Sequence, residues 1–171
     1  MNVYEAIANR YSVRSYKREP IPEETLERVL EAARKAPSAS NRQARKFVVV
    51  TDEDLKQKLA KAARNQSFIA EAGAVIVGIA TEPQRMMPCG INSSTVDVVI
   101  AMDHITLAAV EEGLGTCWIG AFSQEEVKKI LNIPDEYTVI ELMPLGYPKG
   151  VRVERPRKAW DELFCMNGFQ E

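Results

Sequence analysis

The order of elements along the chain predicts an α+β protein in three layers, with helices on both faces of a mixed sheet. Three observations lead to that class. Two short apolar runs, residues 47–50 and 74–80, have the length and branched side chains of buried strands. Segments with apolar residues three and four apart separate and flank these runs, without the strict βαβ rhythm of a parallel sheet. The 171 residues, 46% hydrophobic and 27% charged, suffice for one domain with a real core.

The elements follow in order. Val3 and Ile7 mark a first short helix. Pro22, Glu23 and Glu24 open a second, with proline in the first turn and acidic groups at the positive end of the helix dipole. Leu26, Val29, Leu30 and Ala33 form its buried stripe, and Pro37 stops it. Residues 47–50 then read as a fully buried strand. Asp52 caps a third helix on which Leu55, Leu59 and Ala62 recur at helical spacing. Residues 74–80 form the second strand.

The connection from Thr81 to Ser93 is longer than a tight turn and holds Met86, Met87, Pro88 and Cys89. It reads either as part of a substrate lid or as an interface packing loop. Ser94 with Asp97 resembles a capping box for a helix reaching about Glu112. Val96, Val98, Val99, Ile100, Met102, Ile105, Leu107 and Val110 cover nearly every face of it, which suits a core or an interface. In a domain of this size, part of that helix is expected to meet a second subunit. Gly113 reads as a left-handed helix stop, after which residues 113–120 lead into a buried strand. Ser123 and Glu126 box a short helix carrying Val127, Ile130 and Leu131, which halts near Asn132 and Pro134. Residues 138–145 form the last central strand.

Composition excludes several classes. With a formal charge of −2 and basic residues confined to short clusters, the chain lacks a nucleic-acid footprint. Residues 1–20 have no apolar signal-peptide core, and the apolar stretches around 74–80 and 98–102 are too short to span a bilayer. A cytoplasmic protein with no membrane partner is expected. Cys89, Cys117 and Cys165 form no C-x-x-C pair and are expected to be reduced thiols. His104, the only histidine, lies in an apolar helical stretch and suits a structural role, so no metal site is expected. No G-x-S-x-G elbow, phosphate-binding Walker loop or H-E-x-x-H is present, and no side chain is assigned as catalytic. Gly113-x-Gly115 follows a helix and lacks the spacing of a dinucleotide fingerprint.

Polar spacing is more informative. Arg10, Ser12 and Arg14 occupy alternate positions, and Arg155 and Arg157 repeat the spacing near the other end. In extended backbone, alternate side chains share a face, so each set presents its polar groups together. Rigid guanidinium forks suit phosphate, and a hydroxyl between two of them suits a polyol or phosphate oxygen. The loop Pro37-Ser38-Ala39-Ser40-Asn41 has small residues that leave backbone N–H groups open to a ligand. Gly120 would let backbone approach something flat.

Taken in order, these segments resemble the nitroreductase family of FMN-dependent oxidoreductases. The resemblance rests on R-x-S-x-R at residues 10–14, PSxxNxQ at 37–43, GLGxxWIG at 113–120, and LGYP at 145–148 followed by the late basic pair. It runs from about Asn2 to about Leu163. At one point the chain departs from the pattern: relatives commonly carry Pro-Trp after N-x-Q, and here Ala44-Arg45 follows Gln43.

The resemblance implies a three-layer α/β/α sandwich with a mixed, largely antiparallel central sheet, used as an interlocked homodimer with FMN at each interface. It implies that Arg10, Tyr11, Ser12, Arg14, Arg155 and Arg157 hold the phosphate and ribityl chain, while Ile119 and Gly120 approach the isoalloxazine ring. Pro37, Ser38, Ala39, Ser40 and Asn41 would come from the partner subunit. Gln66 would direct its amide, both donor and acceptor, toward the pyrimidine edge. The implied activity is ping-pong hydride transfer from NAD(P)H to a nitroaromatic, quinone or similar small-molecule acceptor, with the flavin carrying the chemistry. A non-catalytic flavin-binding or sensor protein, and a same-fold dehalogenase or flavin-fragmenting enzyme, remain open alternatives.

Overall fold

The computed structural model describes residues 1–153 and 155–170. The elements run α1 (Val3–Asn9), α2 (Glu23–Lys35), β1 (Arg45–Val50), α3 (Glu53–Ala62), α4 (Phe68–Glu71), β2 (Ala74–Ala80), α5 (Ser93–Glu111), β3 (Gly115–Thr116), α6 (Gln124–Leu131), β4 (Thr138–Gly146) and α7 (Trp160–Leu163). The class is α+β, as expected. The sheet order is β1-β2-β4-β3, and all neighbouring strands are antiparallel. A parallel bridge from Ser12 to Thr116 makes the sheet mixed.

Alternation along the strands builds the layers. Val75, Val77 and Ile79 of β2, with Val139 and Leu142 of β4, pack under Leu59, Ile69 and Val127 of α3, α4 and α6. Ile76 and Ala80 of β2, with Met143 and Leu145 of β4, meet Val29 and Ala33 of α2 and Val98, Met102 and Ile105 of α5. With a helical layer on each face, β2 is buried at every residue.

Several local signals act as read. Asp52 Oδ1 accepts the Leu55 N–H at 2.8 Å, and Ser123 Oγ accepts that of Glu126 at 3.3 Å. Gly113, at φ +71°, ends α5. Other expectations are corrected. The strand at 47–50 is not fully buried: β1 is an edge strand, so one side lacks a neighbour and its residues are mostly half-exposed. The α5 cap is Asn92, whose Oδ1 accepts the Thr95 N–H at 2.8 Å. Ser94 is drawn away by tertiary contact, its Oγ bonding the Ala44 carbonyl. The run at 98–102 belongs to the 19-residue α5, long and apolar enough by composition to cross a membrane, yet with half of its apolar window buried in the protein.

Candidate cofactor site

The N-terminal clamp is built as a strap. After α1 the backbone turns extended at Arg10, and Val13 N–H donates to Thr116 O at 2.8 Å. Lys17 N–H then reaches Tyr147 O, and Lys149 N–H reaches Ser15 O, both at 2.9 Å. Val13 is buried between the exposed Ser12 and Arg14, which is the alternation an extended segment requires, and Tyr16 is buried after that alternation breaks at Ser15. The Tyr16 hydroxyl lies 3.0 Å from Val13 O and 3.2 Å from Pro144 O, and burial holds its pKa above the usual range. Close approach of strap to sheet depends on Gly115, where an added Cβ would stand 2.3 Å from Val13 Cγ2.

Because the strap ties both to β3 and to the segment after β4, residues from opposite ends of the chain meet. Arg10, Tyr11, Ser12 and Arg14 line one cavity of about 800 Å³ together with Arg155 and Arg157. Lys149 and Arg152 join them, so six cationic side chains surround the space and no described carboxylate lines it. Ion pairs among the described residues involve none of the six. Lys149 and Arg152 were missed by the sequence reading, although their signal was available as one basic run from 149 to 158. Cys117 lies beneath the strap. Burial pushes its thiol pKa up, with Arg14 and a hydrogen bond to Ser12 opposing.

Other expected site residues lie elsewhere. Ile119 does not line this cavity: its side chain is buried, and its N–H and carbonyl both pair with Leu142, at 2.9 and 3.1 Å. Gly120 is exposed, with nothing within 4 Å of a Cβ built on it. Gln66 does not line the cavity; its Nε2 donates to Ala63 O at 2.9 Å, closing the end of α3.

None of Pro37, Ser38, Ala39, Ser40 and Asn41 lines the cavity within this chain. Two of the N–H groups expected to be open there are bonded within the chain. Ala39 N–H donates to Asp97 Oδ1 at 2.9 Å, and Asn41 N–H to Ser38 O at 3.0 Å. Ser40 and Asn41 lie at φ +52° and Gln43 at φ +56°, the left-handed region without glycine. The loop after β2 is pinned, with Met87 N–H on Ile91 O at 2.8 Å and Asn92 Nδ2 on Pro83 O at 2.7 Å.

Every described residue from Lys149 to Gln170 is exposed. On this arm Trp160 and Phe164 stack at 4.1 Å between ring centroids, and Trp160, Leu163, Phe164, Met166 and Phe169 show apolar surface. Val3, Tyr4 and Ile7 of α1 are exposed as well.

Comparison with known proteins adds the following. The family model described as "Nitroreductase family" matches residues 7–85 and 65–147. A protein of Archaeoglobus fulgidus, named provisionally as an NADH dehydrogenase/NAD(P)H nitroreductase, is 34% identical over 147 residues, covering 84% of this chain and 83% of its own. The crystal structure of a nitroreductase family protein from Clostridium novyi superposes with a TM-score of 0.82 at 35% identity, over 87% of this chain and 86% of that one. An FMN reductase of Bacillus subtilis that uses NAD(P)H is 28% identical over 91% of this chain and 69% of its own length.

Proposed function

The chain belongs to the nitroreductase family, and on that footing we propose that it reduces nitroaromatic, quinone or similar small acceptors by a ping-pong route. It is an NAD(P)H-dependent flavin oxidoreductase, and FMN is its cofactor. The observation that carries the reading is the cavity in which six cations converge with the Ser12 hydroxyl and without a described carboxylate. That donor set fits a cofactor ending in one phosphate monoester. Guanidinium groups meet phosphate oxygens bidentately, and a hydroxyl serves a polyol chain.

Arg14, Arg155 and Arg157 would hold the phosphate, with Arg10, Tyr11 and Ser12 along the ribityl side. Gly120 would admit the ring against bare backbone, backed by the buried Ile119. Gln66 would offer its amide oxygen to the pyrimidine edge. Bound FMN supplies the hydride chemistry, so the protein's task is orientation and electrostatics. We further propose that residues 1–171 form one FMN-binding domain working as a homodimer. In it the exposed arm from Lys149 onward docks on the partner, and the Pro37–Asn41 loop of one subunit reaches the cofactor of the other. A cytoplasmic location accords with three free cysteines.

Anaerobic mixing of the flavin-loaded protein with NADH or NADPH, followed by a panel of acceptors, tests the reading. Bleaching of the flavin absorbance, then recovery on adding a nitroaromatic or quinone, is expected. Bound flavin that neither nucleotide bleaches would turn the assignment toward a non-catalytic flavin-binding protein.

A further inference from the structure

Arg45 is the first residue of β1, a position where a strand pattern predicts only a solvated cation. Its half-buried guanidinium instead meets four backbone carbonyls. Nη1 donates to Pro37 O at 2.9 Å and to Asp97 O at 3.0 Å; Nη2 donates to Ala33 O at 3.2 Å and Ala36 O at 2.5 Å. Ala33 and Ala36 lie at the C-terminal end of α2, where carbonyls lack helical partners and the dipole favours a cation. Pro37 starts the loop, and Asp97 belongs to α5. One planar side chain thus joins the end of α2, the root of the loop and the adjacent helix.

Asp97, 3% exposed, fastens the same loop from the other side by accepting the Ala39 N–H. Beyond that bond, Ser40, Asn41 and Gln43 hold left-handed backbone without glycine. Such conformations persist only where the surroundings over-determine them. Burial works against the charge on Arg45 and Asp97 favours it. A lysine could not replace the arrangement, since an ammonium is a point charge and lacks the fork that spans separated carbonyls.

We propose that Arg45, together with Asp97, is a positioning residue for the cofactor: it presets the loop at residues 37–43 in the shape that meets FMN. This rests on the reading that the loop contacts the cofactor. Neither residue touches the cavity of cations in its own chain, so the effect is carried by the loop.

The test compares the wild type with Arg45→Gln, Arg45→Lys and Asp97→Asn. FMN affinity is measured by flavin fluorescence quenching well below the thermal midpoint of each apoprotein. Amide hydrogen exchange across residues 37–43 is followed with and without FMN. In the wild type, FMN should slow exchange in that segment. Arg45→Gln and Arg45→Lys should weaken FMN binding by about tenfold or more, as expected for loss of charge-assisted bonds. Exchange at 37–43 should rise in their apoproteins while the rest of the chain keeps cooperative unfolding. If FMN protects the wild-type loop but both Arg45 variants bind FMN within twofold of it, the positioning role is wrong and the loop contact stands. If FMN leaves wild-type exchange at 37–43 unchanged, the loop contact fails and the proposal with it. Should Arg45→Gln not fold, Arg45→Lys alone decides by the same two readouts.

Discussion

Replacing Glu141 by glutamine probes a cost built into the sheet. Glu141 stands on β4 opposite Gly78 of β2, on the face covered by α5, and is 3% exposed. Neither carboxylate oxygen has a hydrogen-bond partner. Burial, and then the charge of Asp103 on α5, push its pKa up from the ordinary 4.5 to about 9. The folded protein therefore keeps this proton over a range in which the unfolded chain has released it. The associated stability is fully present below pH 4.5 and is lost as pH rises from there through about 9. By pH 7 the loss amounts to about 3 kcal/mol, at roughly 1.4 kcal/mol per unit.

Glutamine copies the shape of the neutral acid and cannot ionise. Glu141→Gln should therefore match the wild type at pH 4.5 and exceed it by about 3 kcal/mol at pH 7, with a wider gap at pH 8.5. Urea unfolding at fixed protein concentration, repeated at those pH values, measures the difference; fixed concentration is needed because assembly adds to apparent stability. A constant offset between the two proteins from pH 4.5 to 8.5 would show that Glu141 is ionised in the folded state and that the reasoning fails.

Two further outcomes are expected. Arg14→Ala and Arg157→Ala should each weaken FMN by about tenfold to a hundredfold, the loss of a charge-assisted bond of about 1.5–3 kcal/mol, and unchanged titrations in both would remove them from the phosphate site. In sedimentation velocity at micromolar concentration the protein should run as a dimer, since obligate interfaces bury about 2,000 Å² or more and the apolar side chains of the arm are left largely exposed by their own chain; a folded, flavin-bearing monomer would refute the docking of the arm.

Periodicity was readable wherever burial alone decides structure. The bounds of β2, residues 74–80, are legible because every side chain there is enclosed and only apolar residues are admitted. The caps at Asp52 and Ser123 are legible because a cap is a bond between residues three apart. Failures begin where a distant partner competes. Ser94 has the chemistry of a cap and sits within a turn of one, but Ala44, fifty residues away in sequence, takes its hydroxyl and the cap falls to Asn92. Residues 47–50 carry the apolar run of a central strand, yet strand order leaves them at an edge.

The clamp shows why spacing still conveyed so much of the site. Alternation over residues 12–14 assigns two faces at once, with Val13 going inward to fill the core while Ser12 and Arg14 go outward, and Tyr16 turns inward after the alternation breaks. The inward pair is what attaches the strap beside Thr116 and beneath Tyr147 and Lys149, with Gly115 leaving room for Val13. That attachment brings the strap to the arm bearing Arg155 and Arg157. Over residues 12–14 the charge pattern and the packing pattern are therefore one pattern, and the first locates the second. Arg45 marks the limit of such reading. Its value lies in four carbonyls, three of them at the end of α2 and the root of the following loop and one on α5, brought together only by the layering of α2 and α5 over the sheet. No local periodicity records a bond of that kind, so residues acting through backbone carbonyls at helix ends emerge only once the layers are in place.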